Sequence, residues 1–146
     1  MNRLILAILA ISLMPSGGRS DDKATVRVTG TVTLPKGEKP PPGAKVTVKV
    51  LFFRPSGMIT FYSTIGSHEI TLADSNKPIA FSVGISKSYT EKYAPDQFLM
   101  RATISVMDGN RSKTIYTTED SDEVMPIDPD GKPKANVKIR ATKASK

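Results

Sequence analysis

Few residues in this 146-residue chain are able to do chemistry, and their spacing argues against most of it. The one histidine, His68, lies in the run Gly66-Ser67-His68-Glu69, and there is no cysteine. Neighbours on an extended chain point to opposite faces, so Ser67 and His68 do not make a nucleophile and its base. No Gly-x-Ser-x-Gly elbow occurs either. A single histidine rules out a multi-histidine metal centre. The lack of cysteine removes disulfides, thiolate ligands, thiol nucleophiles and the acylated cysteine of a lipoprotein together. No catalytic, cofactor-binding or metal-ligating residue is assigned, and the expectation is a protein that is not an enzyme.

Three other groups carry weaker signals. Glu119-Asp120-Ser121-Asp122-Glu123, with Asp128-Pro129-Asp130-Gly131 beyond it, gathers oxygen ligands of the kind Ca²⁺ takes. The alternating ligand spacing of an EF-hand closed by a glutamate is not met, so the favoured reading of 119–131 is a solvated loop that partly neutralises nearby lysines. Asn110-Arg111-Ser112 fits a glycosylation sequon, but Asp108-Gly109-Asn110 is better read as hairpin-turn chemistry. Tyr62, Tyr89, Tyr93 and Tyr116 are the only tyrosines. Two or three of them on one exposed face would favour a carbohydrate site, and their burial would remove it.

The elements that must position these groups are strands. Aromatic residues make up only 6% of the chain, tryptophan is absent, and 11 prolines and 10 glycines are spread along it, as short strands joined by turns require. The formal charge is +7, with a pI near 9.7. The lysines are scattered and are not interleaved with aromatics, so no specific nucleic-acid surface is expected.

Residues 1–20 read as a signal peptide, forming a short helix: Arg3, the apolar run Leu4 to Met14, then Pro15 and small residues. A run of about eleven residues suits a signal h-region, whereas a membrane span needs about 20. Cleavage after Ser20 or after Gly18 satisfies the small-x-small rule; an uncleaved N-terminal anchor is the competing reading. The expectation is an exported chain, periplasmic or extracellular, with no stable membrane span after cleavage.

Residues 21–142 read as one β domain and 143–146 as a frayed basic tail. Ala24 to Leu34 alternates valine with threonine. After the stiff Pro35–Gly43 connection, Ala44, Val46, Val48, Val50 and Phe52 alternate with Lys45, Thr47 and Lys49, the pattern of a strand with one face in a core. Arg54-Pro55-Ser56-Gly57 reads as a turn, and Met58 to Thr64 as the hairpin partner. Gly66-Ser67 reads as a break, and His68 to Leu72 as a separate short strand. Strands follow at Ile79 to Ile85, Phe98 to Met107, Lys113 to Thr118 and Lys134 to Thr142, and Ser86 to Asp96 reads as irregular or as a single helical turn carrying Tyr89 and Tyr93. Seven or eight strands of this kind indicate an antiparallel β-sandwich of immunoglobulin or transthyretin type, with a closed barrel second. Pro40 to Pro42 and the strand lysines read as edge protection.

In strand order the chain resembles the YbaY/YscW family of small bacterial periplasmic lipoproteins, which includes pilotin-type chaperones of type III secretion secretins. The resemblance rests on Val28-Thr29-Gly30-Thr31-Val32, on Pro41-Pro42-Gly43-Ala44-Lys45-Val46-Thr47-Val48, and on Pro78-Ile79-Ala80-Phe81-Ser82-Val83. Arg101-Ala102-Thr103-Ile104, Asp108-Gly109, Thr117-Thr118 and Val124-Met125-Pro126 continue it, so that it spans about Val26 to Ala141. These are strand and turn patterns. Two departures stand out: Leu13-Met14-Pro15-Ser16-Gly17-Gly18 occupies the place of the family's lipidated cysteine, and Phe53-Arg54-Pro55-Ser56-Gly57 replaces the acidic and small residues usual after the second strand. The resemblance implies an envelope accessory, chaperone-like and pilotin-like, that binds another envelope protein such as a secretin or secretion component. A carbohydrate- or peptidoglycan-associated module and a secreted inhibitor are the alternatives. The residues that would bind the partner and the oligomeric state are not assigned by the sequence.

The strand reading is testable at two adjacent positions. Val48→Asp is expected to unfold the domain, because a buried unpaired charge costs several kcal/mol or more, while Lys49→Thr on the wet face should change stability by about 0.5 kcal/mol or less. Equal melting temperatures would overturn it.

Overall fold

Alternation of valine with threonine or lysine makes the first two strands, and each buries its valines. In the computed structural model, which describes residues 25–74, 76–118 and 124–144, these strands are β1 (Thr25–Thr33) and β2 (Lys45–Ser56). They are followed by β3 (Ile59–Thr71), β4 (Ile79–Ser86), α1 (Lys87–Lys92), a 3₁₀ turn (Pro95–Gln97), β5 (Phe98–Asp108), β6 (Arg111–Thr117), β7 (Val137–Arg140) and β8 (Thr142–Lys143). The signal segment with its Gly18 and Ser20 cleavage positions, the acidic residues 119–123 and residues 145–146 lie outside the described residues.

The strands form a three-stranded sheet, β4-β1-β7, and a five-stranded sheet, β3-β2-β5-β6-β8, with one hydrophobic core between them. Val28, Val32, Phe81, Val83, Ile85 and Ile139 enter it from the small sheet, and Val46, Val48, Val50, Phe98, Met100 and Ile104 from the large one. The expectation of an all-antiparallel immunoglobulin or transthyretin type needs correction. β1 pairs with β7 in parallel, through Gly30↔Val137 to Thr33↔Arg140, and the strand orders are not those of an immunoglobulin domain. The chain's close packing is visible at Gly30, where a Cβ would lie 2.0 Å from the Val137 carbonyl oxygen and 2.7 Å from the Phe81 ring. Only glycine lets β1 pass there.

Four further boundaries differ from the sequence reading. β2 is a central strand, held by β3 on one side and β5 on the other, so Lys45 and Lys49 are solvated on an outer face and do not guard an edge. β3 is one strand through Gly66 and Ser67, with an irregularity opposite Val50 and Leu51. The stretch 134–142 is not one strand: Asn136 takes a left-handed backbone with φ of 59°, which leaves Ala135 exposed and starts β7 at Val137. After Arg140 the chain then changes sheets, from β7 beside β1 to β8 beside β6. Ala141, fully buried, makes the crossing, its N–H donating to the Thr33 carbonyl. The positions 143–144 are also paired, Lys143 with Tyr116 and Ala144 N–H with the Ile115 carbonyl.

Where β6 ends, a side chain extends the ladder. Buried Thr118 accepts the Ala102 N–H on its hydroxyl at 2.6 Å, and its own N–H and O–H both donate to the Ala102 carbonyl at 3.0 Å. Two residues back along β5, the Met100 N–H donates to the Val124 carbonyl, so Thr118 and Val124 are both fastened to the same strand.

The C-terminal closure carries a charge cluster. Lys143 lies 3.0 Å from Glu38, and Glu38 stands beside the hydroxyl of buried Tyr116. Burial first, then the hydrogen bond and charge of Glu38, push the Tyr116 phenol above its ordinary value, against the opposing charge of Lys143. The Glu38 hydrogen bond and charge also raise Lys143. Both groups hold their protons more tightly folded than unfolded. Their contribution is therefore intact below the unfolded pKa values, about 10 for each, and is lost as pH rises through the folded ones. Melting temperature should fall above pH about 10, and should fall less steeply in Tyr116→Phe; equal slopes would remove Tyr116 from the linkage.

Candidate functional site

The pairing of β2 with β5 stops at Phe52↔Phe98, while the β2–β3 ladder continues through Phe53↔Tyr62, Arg54↔Phe61 and Pro55↔Thr60 to Ser56↔Ile59. A two-stranded hairpin therefore projects beyond the sheet. Its loop is Gly57-Met58, with φ of 57° at Gly57 alone, the backbone of a type II′ turn, which places glycine first. The turn was expected across Arg54–Gly57 and lies later because Pro55 is tolerated within the strand. In a two-residue hairpin the closing pair Ser56↔Ile59 is hydrogen-bonded, so Pro55 sits at a non-bonded pair, and on its other side β5 has already ended.

The irregularity in β3 decides which side chains face which way. Val50 pairs with Gly66 and Leu51 with Thr64, so Ile65 is an extra residue. On the core side of the bulge, Gly66, His68 and Ile70 stand opposite inward Val50, Val48 and Val46; beyond it, the inward positions become Ile59, Phe61 and Ser63. The parity changes there, and this is why the sequence reads as two strands.

At the root of the hairpin α1 closes one end of the core. Tyr89 lies within α1 and Tyr93, four residues on, is its C-cap with an extended backbone, the Tyr93 N–H donating to the Tyr89 carbonyl at 3.0 Å. Both rings meet Phe52, whose centroid lies 4.4 Å from Tyr93, 5.9 Å from Tyr89 and 5.7 Å from Phe98. Between α1 and the hairpin is an open cleft of about 300 Å³ lined by Phe52, Arg54, Phe61, Ser63, Tyr89 and Tyr93. Its walls are aromatic and its charge is positive. Arg54 donates to the Tyr93 hydroxyl at 3.4 Å with its guanidinium 6.0 Å from the Phe52 ring centre, and the Lys92 ammonium lies 5.3 Å from the Tyr93 ring. On the opposite face of the hairpin Arg101 covers Tyr62 at 5.1 Å. Above the cleft the tip is apolar and open: Met58 is 100% exposed, Ile59 61% and Phe61 59%.

The residues weighed from the sequence fall in other places. His68 is half-buried, and its Nδ1 accepts the Ser82 N–H at 3.1 Å, tying β3 to β4 across the two sheets. Ser67 is exposed on the other face, so the structure does not bring the pair together. Asp130 and Asp128 lie within 2.8 Å and 3.8 Å of Lys132 and Lys134. The Lys132 bond holds the Asp130 carboxyl below its ordinary value. No cluster of three metal-ligating side chains occurs among the described residues. Of the tyrosines, Tyr116 is buried, Tyr62 is on the outer face, and Tyr89 and Tyr93 share the cleft. Met58, Ile59 and Phe61 were not singled out by sequence. The available signal was the apolar run Met58-Ile59-Thr60-Phe61-Tyr62, which alternates too poorly for a strand with one wet face.

No family model and no curated protein matches the chain. Among solved structures it is similar to an alternative pilotin from the type II secretion system of Vibrio cholerae. The match has 18% sequence identity and a TM-score of 0.60, and covers 84% of this chain and 99% of that one. The likeness is one of fold. No helix among the described residues is long and apolar enough to cross a membrane.

Root and tip should separate on substitution. Phe52→Ala, which empties the buried aromatic cluster, is expected to cost about 3–5 kcal/mol. Phe61→Ser should cost about 0.5 kcal/mol or less by denaturant titration.

Proposed function

We propose that the chain is an exported, non-enzymatic accessory protein of the envelope, pilotin-like, which binds a partner protein through the β2–β3 hairpin and its cleft. The observation that carries this reading is the open apolar tip of Met58, Ile59 and Phe61 set directly above a cationic aromatic cleft. Contiguous apolar side chains held out on a rigid ladder lose their hydration only against another surface. The likeness in fold to a pilotin supports the choice of a protein as that surface, and a secretin or other secretion component as the first candidate. Export rests on the signal segment 1–20, and a periplasmic or extracellular location follows from it.

A carbohydrate- or peptidoglycan-binding module is the second reading, favoured by the presence of Tyr89 and Tyr93 in one cleft. Sugar stacking needs open ring faces, whereas Tyr93 packs on Phe52 and lies beneath Lys92. The protein reading is the stronger.

Affinity capture from an envelope extract, with the wild-type chain and Phe61→Asp side by side, tests the choice. A protein retained by the wild type and lost from Phe61→Asp is the expected result. Retention of glycan strands, or equal retention by both forms, would overturn it.

A further inference from the structure

The hairpin has a second property besides its apolar tip. Since Ser56↔Ile59 is the hydrogen-bonded closing pair, bonding alternates from there: Ile59, Phe61 and Ser63 turn their backbone groups to β2. Thr60, Tyr62 and Thr64 turn theirs to the outer edge of β3. Farther along, β4 packs against the inward face of β3: at Gly66 a Cβ would lie 2.5 Å from the Gly84 carbonyl oxygen, and Ser82 N–H reaches the His68 ring. Beyond that packing, between Ile59 and Thr64, the outer edge of β3 projects with the hairpin, and no strand pairs with it among the described residues. Exposed edges are ordinarily blunted by lysine, proline or a bulge, yet Ile59-Thr60-Phe61-Tyr62-Ser63-Thr64 contains no charge and no proline, and the bulge comes after it.

Resting on the protein-binding reading above, we propose that the outer edge of β3 between Ile59 and Thr64 is a strand-addition site, which takes an extended segment of a partner protein with apolar residues at alternate positions and a carboxylate reaching Arg54. The alternation follows from the pleat. A strand added there sends every second side chain to the side of Ile59, Phe61 and Ser63, toward the cleft walled by Phe52, Tyr89 and Tyr93, and the others to the Thr60 and Tyr62 side. The carboxylate follows from charge, because Arg54 and Lys92 are the cations at the aromatic walls. A second copy fits poorly. Pairing β3 with its own image would place two cationic clefts on one interface between chains of formal charge +7.

The probe is an acetylated octapeptide alternating valine and threonine with one central aspartate, titrated against the full chain. Its counterparts carry N-methyl groups at alternate amides, or lysine for the aspartate. Strand addition predicts binding weakened about tenfold or more by N-methylation on the pairing side and by the lysine exchange. It also predicts slowed hydrogen exchange at the Thr60, Tyr62 and Thr64 amides. Thr60→Pro, which removes an edge donor at a position not bonded to β2, should weaken the peptide while leaving the melting temperature near that of the wild type. Equal affinity of methylated and unmethylated peptides, absence of binding at millimolar peptide, or self-association that protects the same amides would each overturn strand addition. If the capture experiment still yields a partner dependent on Phe61, binding through side chains survives that result. If capture yields none, it is the protein-binding reading that falls.

Discussion

An extended chain turns successive side chains to opposite faces, and β3 obeys this rule on both sides of Ile65 but not through it. The one extra residue lets the same strand set Gly66, His68 and Ile70 against the core and then set Ile59, Phe61 and Ser63 on that same side of the projecting hairpin. Without the bulge, Thr60, Tyr62 and Thr64 would face the cleft and Phe61 would face away from it. The aromatic cleft, the position of Tyr62 under Arg101 and the continuity of β3 all depend on that local insertion.

The two sheets are joined differently at their two sides. On one, β3 and β4 approach at Gly66 and Gly84 and are linked by the His68 ring acting as a backbone acceptor. On the other, the C-terminal segment leaves β7 and enters β8 through Ala141, with Glu38, Tyr116 and Lys143 at the join. In both places the residue that allows the approach is small, glycine or alanine, and the one that fastens it is polar. The hairpin lies beyond these joins, held at its root by the stack of Phe52 on Tyr89 and Tyr93, so it projects from a closed body without opening it.

The core strands were legible because their burial is one-sided and their alternation unbroken: Val46, Val48 and Val50 in β2, and Ile79, Phe81, Val83 and Ile85 in β4, are where the period-2 pattern puts them. The crossing at Ala141 was not, since a strand that serves two sheets in turn keeps the same alternation throughout. Nor was the parallel pairing of β1 with β7, because pairing direction leaves no mark on which residues are apolar. The candidate site was least legible. Arg54-Pro55-Ser56-Gly57 has turn composition, and only the early end of β5 makes a proline harmless inside β2. The place of His68 was not legible either, since its bond to Ser82 depends on a contact across 14 positions that no local pattern encodes.

Thr118 and Val124 are fastened to β5 at Ala102 and Met100, two positions apart. Both anchors act on the stretch of β5 that β6 no longer covers, so the Met100 and Ala102 N–H groups, which would otherwise be left open where the ladder ends, are each given an acceptor.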